Sequence, residues 1–220
     1  FCWGKSTAIT SAKTAFGLTT TTNANGGYEL RQHTTSTLRG LKTTDAGGVG
    51  TPPVAGTFVS GQWHALGATY TSNTARAAWF DGATGTSTSN LADPTIDTIS
   101  IGAKVDDSPG HFWTGAVAHA AIWNVVLTAE EMTALQVYRW CPLLIRPASL
   151  VAYWPLCFGF DGDLAGRGYH LTPTDSPTWT VGPRGIVYPR PTWSPAKAEE
   201  EAAGGFQAAW AEGLNALVGV

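Results

Sequence analysis

Acidic residues are the first candidates for chemistry, because general acid and base catalysis on a glycan needs two carboxylates that face one substrate. Asp93 and Asp97 are four residues apart, and Asp106 and Asp107 are adjacent. Successive side chains of a strand point to opposite faces, so neither pair forms a convincing acid and base couple. The nucleophile motif Gly-x-Ser-x-Gly is absent from the sequence. We therefore predict that the protein is not an enzyme.

Asp161 and Asp163 lie in a second acidic stretch that could bind calcium. Its Asp-Gly-Asp start is typical of a helix-loop-helix calcium site, but Ala165 and Thr172 stand where ligands belong, which excludes that motif. Two interpretations stay open. The acids either bind calcium in another kind of site, or they form Asx-type turns in which a carboxylate accepts nearby backbone N–H groups. Calcium is the one cofactor considered, and otherwise none is predicted.

Aromatic residues give the remaining signal for ligand binding. The chain has 10 Trp residues, and the faces of Trp suit sugar stacking or protein interfaces. Trp113 follows a loop with Asp106, Asp107 and His111, and we predict these four residues as a ligand site. His111 and His119 are about 26 Å apart along an extended strand, which argues against a shared metal ion. Core positions are predicted for Trp63, Trp79, Trp123 and Trp154.

Composition narrows the function classes. Charged residues make up 13% of the chain, and Thr, Gly and Trp are frequent, which favours strands. The net charge is −3 and Lys and Arg are scattered, so nucleic acid is excluded as a partner. No apolar run reaches the roughly 18 residues of a membrane span. Cys2, Cys141 and Cys157 lack metal-ligand spacing and are predicted to be buried thiols, with one disulfide as the alternative.

The elements that must position these residues are mostly short β-rich runs separated by Gly, Asn, Asp and Pro. In the run WHALGATY, alternate side chains such as Trp63 and Leu66 face opposite sides, and one face is predicted to be core. Asp81-Gly82 stands between two such runs and suits the positive φ angles of a tight hairpin turn. The pattern indicates an all-β sandwich or barrel.

One helix is predicted in the main body, in the stretch LTAEEMTALQVYRW. Thr128 and Glu131 have the Thr-x-x-Glu spacing of a capping box. Pro142 is expected to end the element. We expect this short helix to pack on the sandwich without taking part in chemistry.

Residues 189–220 are predicted to form a linker and an apolar helical tail. Ser194-Pro195 offers an N-cap and a preformed first helical residue, while Gly204-Gly205 weakens the helix by about 1 kcal/mol per glycine. An apolar tail must dock on its own sandwich or on a neighbour, and the neighbour is favoured. The predicted assembly contacts are Trp193, Phe206, Trp210, Leu214 and Leu217.

Several motifs in a fixed order resemble the laminin-G-like domains of the concanavalin A-like lectin and glucanase superfamily. The resemblance covers residues 1–140 and implies an antiparallel jelly-roll sandwich with one short helix. It also implies calcium at the sandwich rim, although Ala118 and His119 stand where the family commonly has an acid, and the glucanase pattern Glu-x-Asp-x-x-Glu is absent. The matching residues are Trp63-His64, Trp79 to Gly82, Ile101-Gly102, Phe112 to Gly115, and Asn124 through Leu127-Thr128 to Glu131.

The stretch 150–187 resembles the first strands of that family, although it follows the helix. It could close the sandwich of its own chain, begin a second truncated copy, or pair with another subunit. Open sheet edges expose unpaired backbone groups, which favours the first or the third explanation. We predict that the segment closes a single domain over residues 1–188.

The resemblance and the apolar tail together favour a non-enzymatic structural or adhesive module, such as a phage capsid decoration or tail protein. Its partners would be other subunits of a large assembly. The alternative is a carbohydrate-binding module of an extracellular bacterial protein with glycan partners, and a glycan-degrading enzyme is the least favoured. The expected location is the virion or the extracellular space.

Overall fold

The computed structural model describes residues 1–22, 25–157, 161–174 and 176–189. The chain divides into two units, Phe1–Tyr188 and Pro189–Val220, and the architecture below is that of the first. The predicted tail contacts lie outside the described residues: Trp193, Phe206, Trp210, Leu214 and Leu217.

Two five-stranded antiparallel sheets form a β-sandwich, and the predicted fold class is confirmed. The strand order is β10-β1-β6-β7-β8 in the first sheet and β5-β4-β3-β2-β9 in the second, and β11 and β12 form a separate two-stranded ribbon. The strands of the first sheet are β1 (Cys2–Ser6), β6 (Trp63–Ser72), β7 (Ala75–Phe80), β8 (Ala83–Ser87) and β10 (Gly115–Ala118). Those of the second sheet are β2 (Lys13–Thr19), β3 (Gly27–Gln32), β4 (Thr37–Thr43), β5 (Val54–Thr57) and β9 (Thr98–Ile101). The ribbon strands are β11 (Ala120–Trp123) and β12 (Leu150–Trp154), and the helix is α1 (Ala129–Gln136).

The main core lies between the two sheets, where apolar side chains are removed from water. Phe16 of β2, Leu66 of β6 and Phe80 of β7 meet there, and Trp154 of β12 joins them. The rings of Phe16 and Trp154 have centroids 6.3 Å apart. The ribbon therefore contributes directly to the packing of the sandwich.

Strand β6 buries both of its faces, rather than one as predicted. Leu66 belongs to the core between the sheets. Ala65 belongs to a second cluster on the outer face of the first sheet, together with Trp3 and Met132 of α1. The outer face of β6 is buried because the helix covers this side of the sheet.

The Asp81-Gly82 hairpin is confirmed. Phe80 pairs with Ala83 across the turn, and the two central residues have φ angles of 48° and 90°. Both angles are positive, as a two-residue hairpin loop with a type I′ turn requires. The turn joins β7 directly to β8.

The capping box of α1 is confirmed, but the helix is shorter than predicted. The Thr128 Oγ1 accepts a hydrogen bond from the Glu131 N–H at 3.3 Å, and the Glu131 carboxylate accepts one from the Thr128 N–H at 2.8 Å. The helix ends at Gln136, well before Pro142, and Arg139 adopts a φ of 56°. The left-handed backbone conformation of Arg139 turns the chain away from the helix axis.

The β-rich run 116–123 forms two strands rather than one, because it is divided at His119. This residue has a φ of 51°, which separates β10 from β11. Its ring is buried, and its Nδ1 lies 2.7 Å from the Tyr153 hydroxyl. Burial lowers the pKa of His119 from 6.5 to about 4.

The segment that follows the helix pairs within its own chain. Strand β12 lies antiparallel to β11, with Ala120 opposite Trp154 and Ile122 opposite Ala152. The backbone groups of β11 that face β12 are thus paired rather than left as an open edge.

Cys2, Cys141 and Cys157 are free and buried, as predicted. Burial raises the pKa of Cys2 to about 12, so its thiol stays protonated at neutral pH. Among the described residues no helix is long and apolar enough to cross a bilayer.

Candidate functional site

An open groove of about 530 Å³ on the outer face of the first sheet combines aromatic and basic side chains. We call it the outer groove. Its volume is in the range of small-ligand sites. The lining residues are Trp3, Gly61, Gln62, Trp63, Arg139, Val181, Gly182, Pro183 and Arg184.

Strands β1 and β6 supply the aromatic floor. Lys5 lies opposite Trp63, and Trp3 lies opposite Ala65 in the antiparallel register. Residues that face each other across two strands share one face of the sheet, so all four side chains project outward. Trp3 and Trp63 are diagonal neighbours in this register, about 7 to 8 Å apart at the backbone.

The chain after the helix supplies the basic wall. The Val187 N–H donates to the Arg139 carbonyl and the Cys141 N–H donates to the Val187 carbonyl, both at 2.8 Å. These bonds hold residues 181–188 beside the end of the helix. As a result Arg139 and Arg184, which are 45 residues apart in sequence, border one groove.

Two cations, Arg139 of the groove and the adjacent Lys5, lie close to the aromatic rings of the floor. The Lys5 Nζ lies 5.4 Å from the centroid of the Trp63 ring, and the Arg139 guanidinium lies 5.4 Å from that of Trp3. Both distances are within the range of cation–π attraction. The Arg139 Nη1 also donates to the Arg184 carbonyl. The arrangement fixes Arg139 while leaving Arg184 exposed.

A second depression lies between the two sheets and has a different chemistry. It has a volume of about 320 Å³ and a largely apolar wall that includes Phe16, Tyr28, Tyr70 and Trp123. Its tyrosine hydroxyls are already bonded, Tyr28 to Asp93 at 2.7 Å and Tyr70 to the Leu41 carbonyl at 2.8 Å. A hydroxyl-rich ligand would therefore find few partners in this cleft.

His64 and Asp81 form a pair that resembles part of a catalytic triad. The His64 Nδ1 lies 2.6 Å from the Asp81 carboxylate, and its Nε2 accepts a hydrogen bond from the Val59 N–H at 3.0 Å. With Nε2 as acceptor, Nδ1 must be the donor to Asp81. Both ring nitrogens are occupied, so this pair has no nitrogen available to activate a nucleophile.

The four residues predicted as a ligand site differ in exposure and in their contacts. Trp113 packs against the core, 5.9 Å from the Phe58 ring, and its indole N–H donates to the Ala116 carbonyl at 3.2 Å. It is a packing residue rather than the surface platform we expected, because the chain before β10 turns its ring inward. His111 and Asp107 are exposed.

Asp106, the fourth residue of that group, is buried. Its carboxylate pairs with Lys104 and accepts the Ser108 N–H at 2.9 Å. The loop therefore uses this acid to hold its own shape. A role of these four residues in ligand binding stays a prediction.

The Asp163 carboxylate stabilises the closing segment, residues 150–187, through hydrogen bonds to its backbone. Its Oδ1 accepts the Tyr153 and Ala165 N–H groups at 3.0 and 2.8 Å, and its Oδ2 accepts those of Arg167 and Tyr169 at 3.2 and 3.3 Å. Burial opposes ionisation, but the four donors together outweigh it, so the pKa of Asp163 lies below its ordinary value. The bond from Ala165 is the Asx-type turn.

The Asp163 carboxylate does not fit a calcium ion. Four N–H dipoles point at the Asp163 oxygens, and the same lone pairs would have to bind the metal. Within the described ranges, no three His, Cys, Asp or Glu side chains gather where they could hold a metal ion. For Asp161, which makes no side-chain bond to a described residue, calcium binding stays a prediction.

Sequence reasoning missed the outer groove. It assigned Trp63 to the core, and this partly buried ring does pack against the second cluster. It did not consider Trp3, Gln62, Arg139 or Arg184 as site residues. The alternation of side chains along β6 does place Trp63 on the face opposite Leu66. It therefore indicates that Trp63 lies on the outer face of the sheet. No local pattern links Arg184 to the floor of the groove.

Comparisons with known proteins identify the fold. A family model described as the concanavalin A-like lectin/glucanases superfamily matches residues 2–133, more than half of the chain. No curated protein matches the chain. Among solved structures, the chain is similar to Ruminococcus gnavus IT-sialidase CBM40 bound to α2,3-sialyllactose, at 13% identity and a TM-score of 0.49. That match covers 61% of this chain and 79% of the other.

Proposed function

Because the chain belongs to the concanavalin A-like lectin/glucanases superfamily, we propose that it is a non-enzymatic carbohydrate-binding module whose ligand lies in the outer groove. The sequence analysis favoured a structural role in a phage virion and gave a carbohydrate-binding module as the alternative. The proposal corresponds to that alternative. Nothing in the comparisons supports a phage context. An extracellular location is part of the same proposal, since free glycans are met outside the cell.

The observation that carries the proposal is the partly exposed Trp63 beside Gln62 and Arg184, which are both exposed. A sugar ring has an apolar C–H face that stacks on an aromatic ring and a hydroxyl edge that needs hydrogen-bond partners. The groove offers both kinds of surface side by side. The cleft between the sheets offers mainly apolar surface.

The non-enzymatic part of the proposal rests on how the acids are distributed. Glycoside hydrolysis requires a pair of carboxylates about 5 to 10 Å apart across the scissile bond. No acidic side chain lines the described part of the outer groove. The His64 and Asp81 pair has no open nitrogen for acid or base chemistry.

A glycan array followed by calorimetry tests the proposal. We expect binding by the native chain and about a tenfold loss of affinity in Trp63→Ala, which corresponds to ~1.4 kcal/mol. Gln62→Ala is a second variant with little risk to folding, because this residue is exposed. A chelator should leave binding unchanged, since no group of three His, Cys, Asp or Glu side chains that could hold a metal ion is found in the described ranges.

Phe112→Ala is the matched control, because Phe112 is an exposed aromatic in the loop that the sequence favoured. It should bind as the native chain does. Binding that survives both groove variants but fails in Phe112→Ala would move the site to that loop. An array without any bound glycan would reject the proposal.

An assembly role is the second candidate, and it has one structural observation in its favour. Val137, Tyr138, Trp140 and Val187 are exposed apolar residues around the end of the helix. Contiguous exposed apolar surface is typical of protein contacts. Light scattering on the full chain and on a chain ending at Tyr188 tests it. Large species that become monomers on truncation would support it, and monomers in both cases would reject it.

A further inference from the structure

We infer that the ligand of the outer groove is an acidic sugar, one that carries a carboxylate or a sulfate group. The inference rests on the proposed function and adds the charge class of the ligand. Arg139 and Arg184 line the groove, and Lys5 lies over the ring of Trp63. Their positive charge contrasts with the net charge of −3 of the whole chain.

Four of the eight other cations in the described parts of the chain pair with an acid. Arg31 pairs with Glu29 and Lys42 pairs with Asp93, each at 2.6 Å, while Lys104 and Arg146 also have acidic partners. No carboxylate in the described parts of the chain lies within salt-bridge distance of Lys5, Arg139 or Arg184. Three neighbouring cations without an acid create a positive field that attracts an anion.

Arg139 is also oriented for an anion. Its ring contact with Trp3 and its bond to the Arg184 carbonyl hold the guanidinium in place. A guanidinium has five N–H donors in a planar fork, and only one of those of Arg139 is bonded to a described residue. Such a fork matches the two oxygens of a carboxylate or of a sulfate.

The floor of the groove argues for a sugar rather than a small inorganic anion. An isolated anion needs only the cations, whereas Trp63 and Gln62 extend the lined surface beyond them. The volume of about 530 Å³ also exceeds what one such ion occupies. A ring with one acidic substituent would use both parts of the groove.

The test compares the affinities of the chain for matched glycans with and without an acidic group. The pairs are galacturonate and galactose oligomers, glucuronate and glucose oligomers, and sulfated and unsulfated galactose. We expect the native chain to bind an acidic member at least tenfold more tightly than its neutral partner at low salt. The ratio should fall at 0.5 M NaCl, because salt screens exposed charges.

Two variants connect the preference to the groove. In Arg184→Gln and in Arg139→Gln the ratio of acidic to neutral affinity should fall toward one. Lys13→Gln is the control, because Lys13 lies on β2 in the other sheet. It should keep the native ratio.

The outcomes separate this inference from the proposed function. Equal binding of acidic and neutral partners would overturn the inference and leave carbohydrate binding intact. A preference that survives in both arginine variants would also overturn it. A failure to bind any glycan would reject the proposed function itself. The carboxylate and sulfate pairs identify which acidic group is recognised.

Discussion

The turn around Asp163 and the outer groove use charge in opposite ways, although both depend on the segment after the helix. Asp163 is buried and accepts four backbone N–H groups. Arg184 is exposed and has no acidic partner among the described residues. The first charge is fully satisfied within the fold, and the second is available to a ligand.

The difference separates residues that stabilise the fold from residues that can bind. Removing a buried acceptor leaves several donors without partners, which costs free energy of folding. Removing an exposed cation leaves nothing unsatisfied and should cost little. Stability measurements can therefore test the assignment of each region without knowledge of the ligand.

Asp163→Ala should have the largest effect. We expect the free energy of unfolding to fall by about 4 kcal/mol, because four N–H groups lose a charged acceptor. Urea unfolding at pH 7 measures it. Asp161→Ala is the matched control and should stay within about 0.5 kcal/mol, since its side chain bonds to no described residue. Similar losses in both variants would contradict the distinction.

Acidification should have the next largest effect, through His119. The pKa of this buried ring is lowered from 6.5 to about 4, so the unfolded chain takes up its proton first as the pH falls. Stability should decline progressively between pH 6.5 and pH 4, by up to ~3 kcal/mol. Asp163 stays ionised in this window because its pKa is lowered, so its contribution is retained.

His119→Gln checks the origin of that decline. Urea unfolding at pH 7 and at pH 4.5 should give a smaller difference in the variant than in the native chain. An unchanged difference would assign the pH dependence to another group. The absolute stability of the variant does not affect this comparison.

Arg139→Gln should have a smaller effect, a loss of about 1 kcal/mol. The variant removes the cation–π contact with the buried Trp3 and one hydrogen bond to the Arg184 carbonyl. Thermal unfolding at pH 7 measures it. A loss as large as that of Asp163→Ala would mean that Arg139 is mainly a structural residue.

Arg184→Gln should have the smallest effect on stability, within about 0.5 kcal/mol. Its side chain is exposed and makes no hydrogen bond to a described residue. The same thermal unfolding experiment measures it. A clear loss of stability would contradict the view that this charge is free for a ligand.

Local features of the fold were predictable because their causes lie within a few residues. The capping box follows from Thr128 and Glu131, which are one helical turn apart. The hairpin follows from Asp81-Gly82, whose φ angles few other residue pairs tolerate. The Asx-type turn of Asp163 was one of two open interpretations, and the structure contains its bond from the Ala165 N–H.

The breaks at His119 and Arg139 were not predictable in the same way. Both are non-glycine residues with positive φ, at 51° and 56°, which sequence patterns disfavour. Tertiary contacts stabilise them. His119 meets Tyr153 of β12, and Arg139 meets both Trp3 of β1 and the carbonyl of Arg184.

The sequence by itself determined the all-β class, the alternation of strand faces, the tight hairpin and the helix start, since each reflects interactions between near neighbours in the chain. Only the tertiary structure decided where the charges meet. Trp3, Trp63, Arg139 and Arg184 come from four distant parts of the chain, and they share a groove because sheet register and the path of the closing segment bring them together. Contacts of that kind depend on packing over the whole domain, which no short pattern encodes.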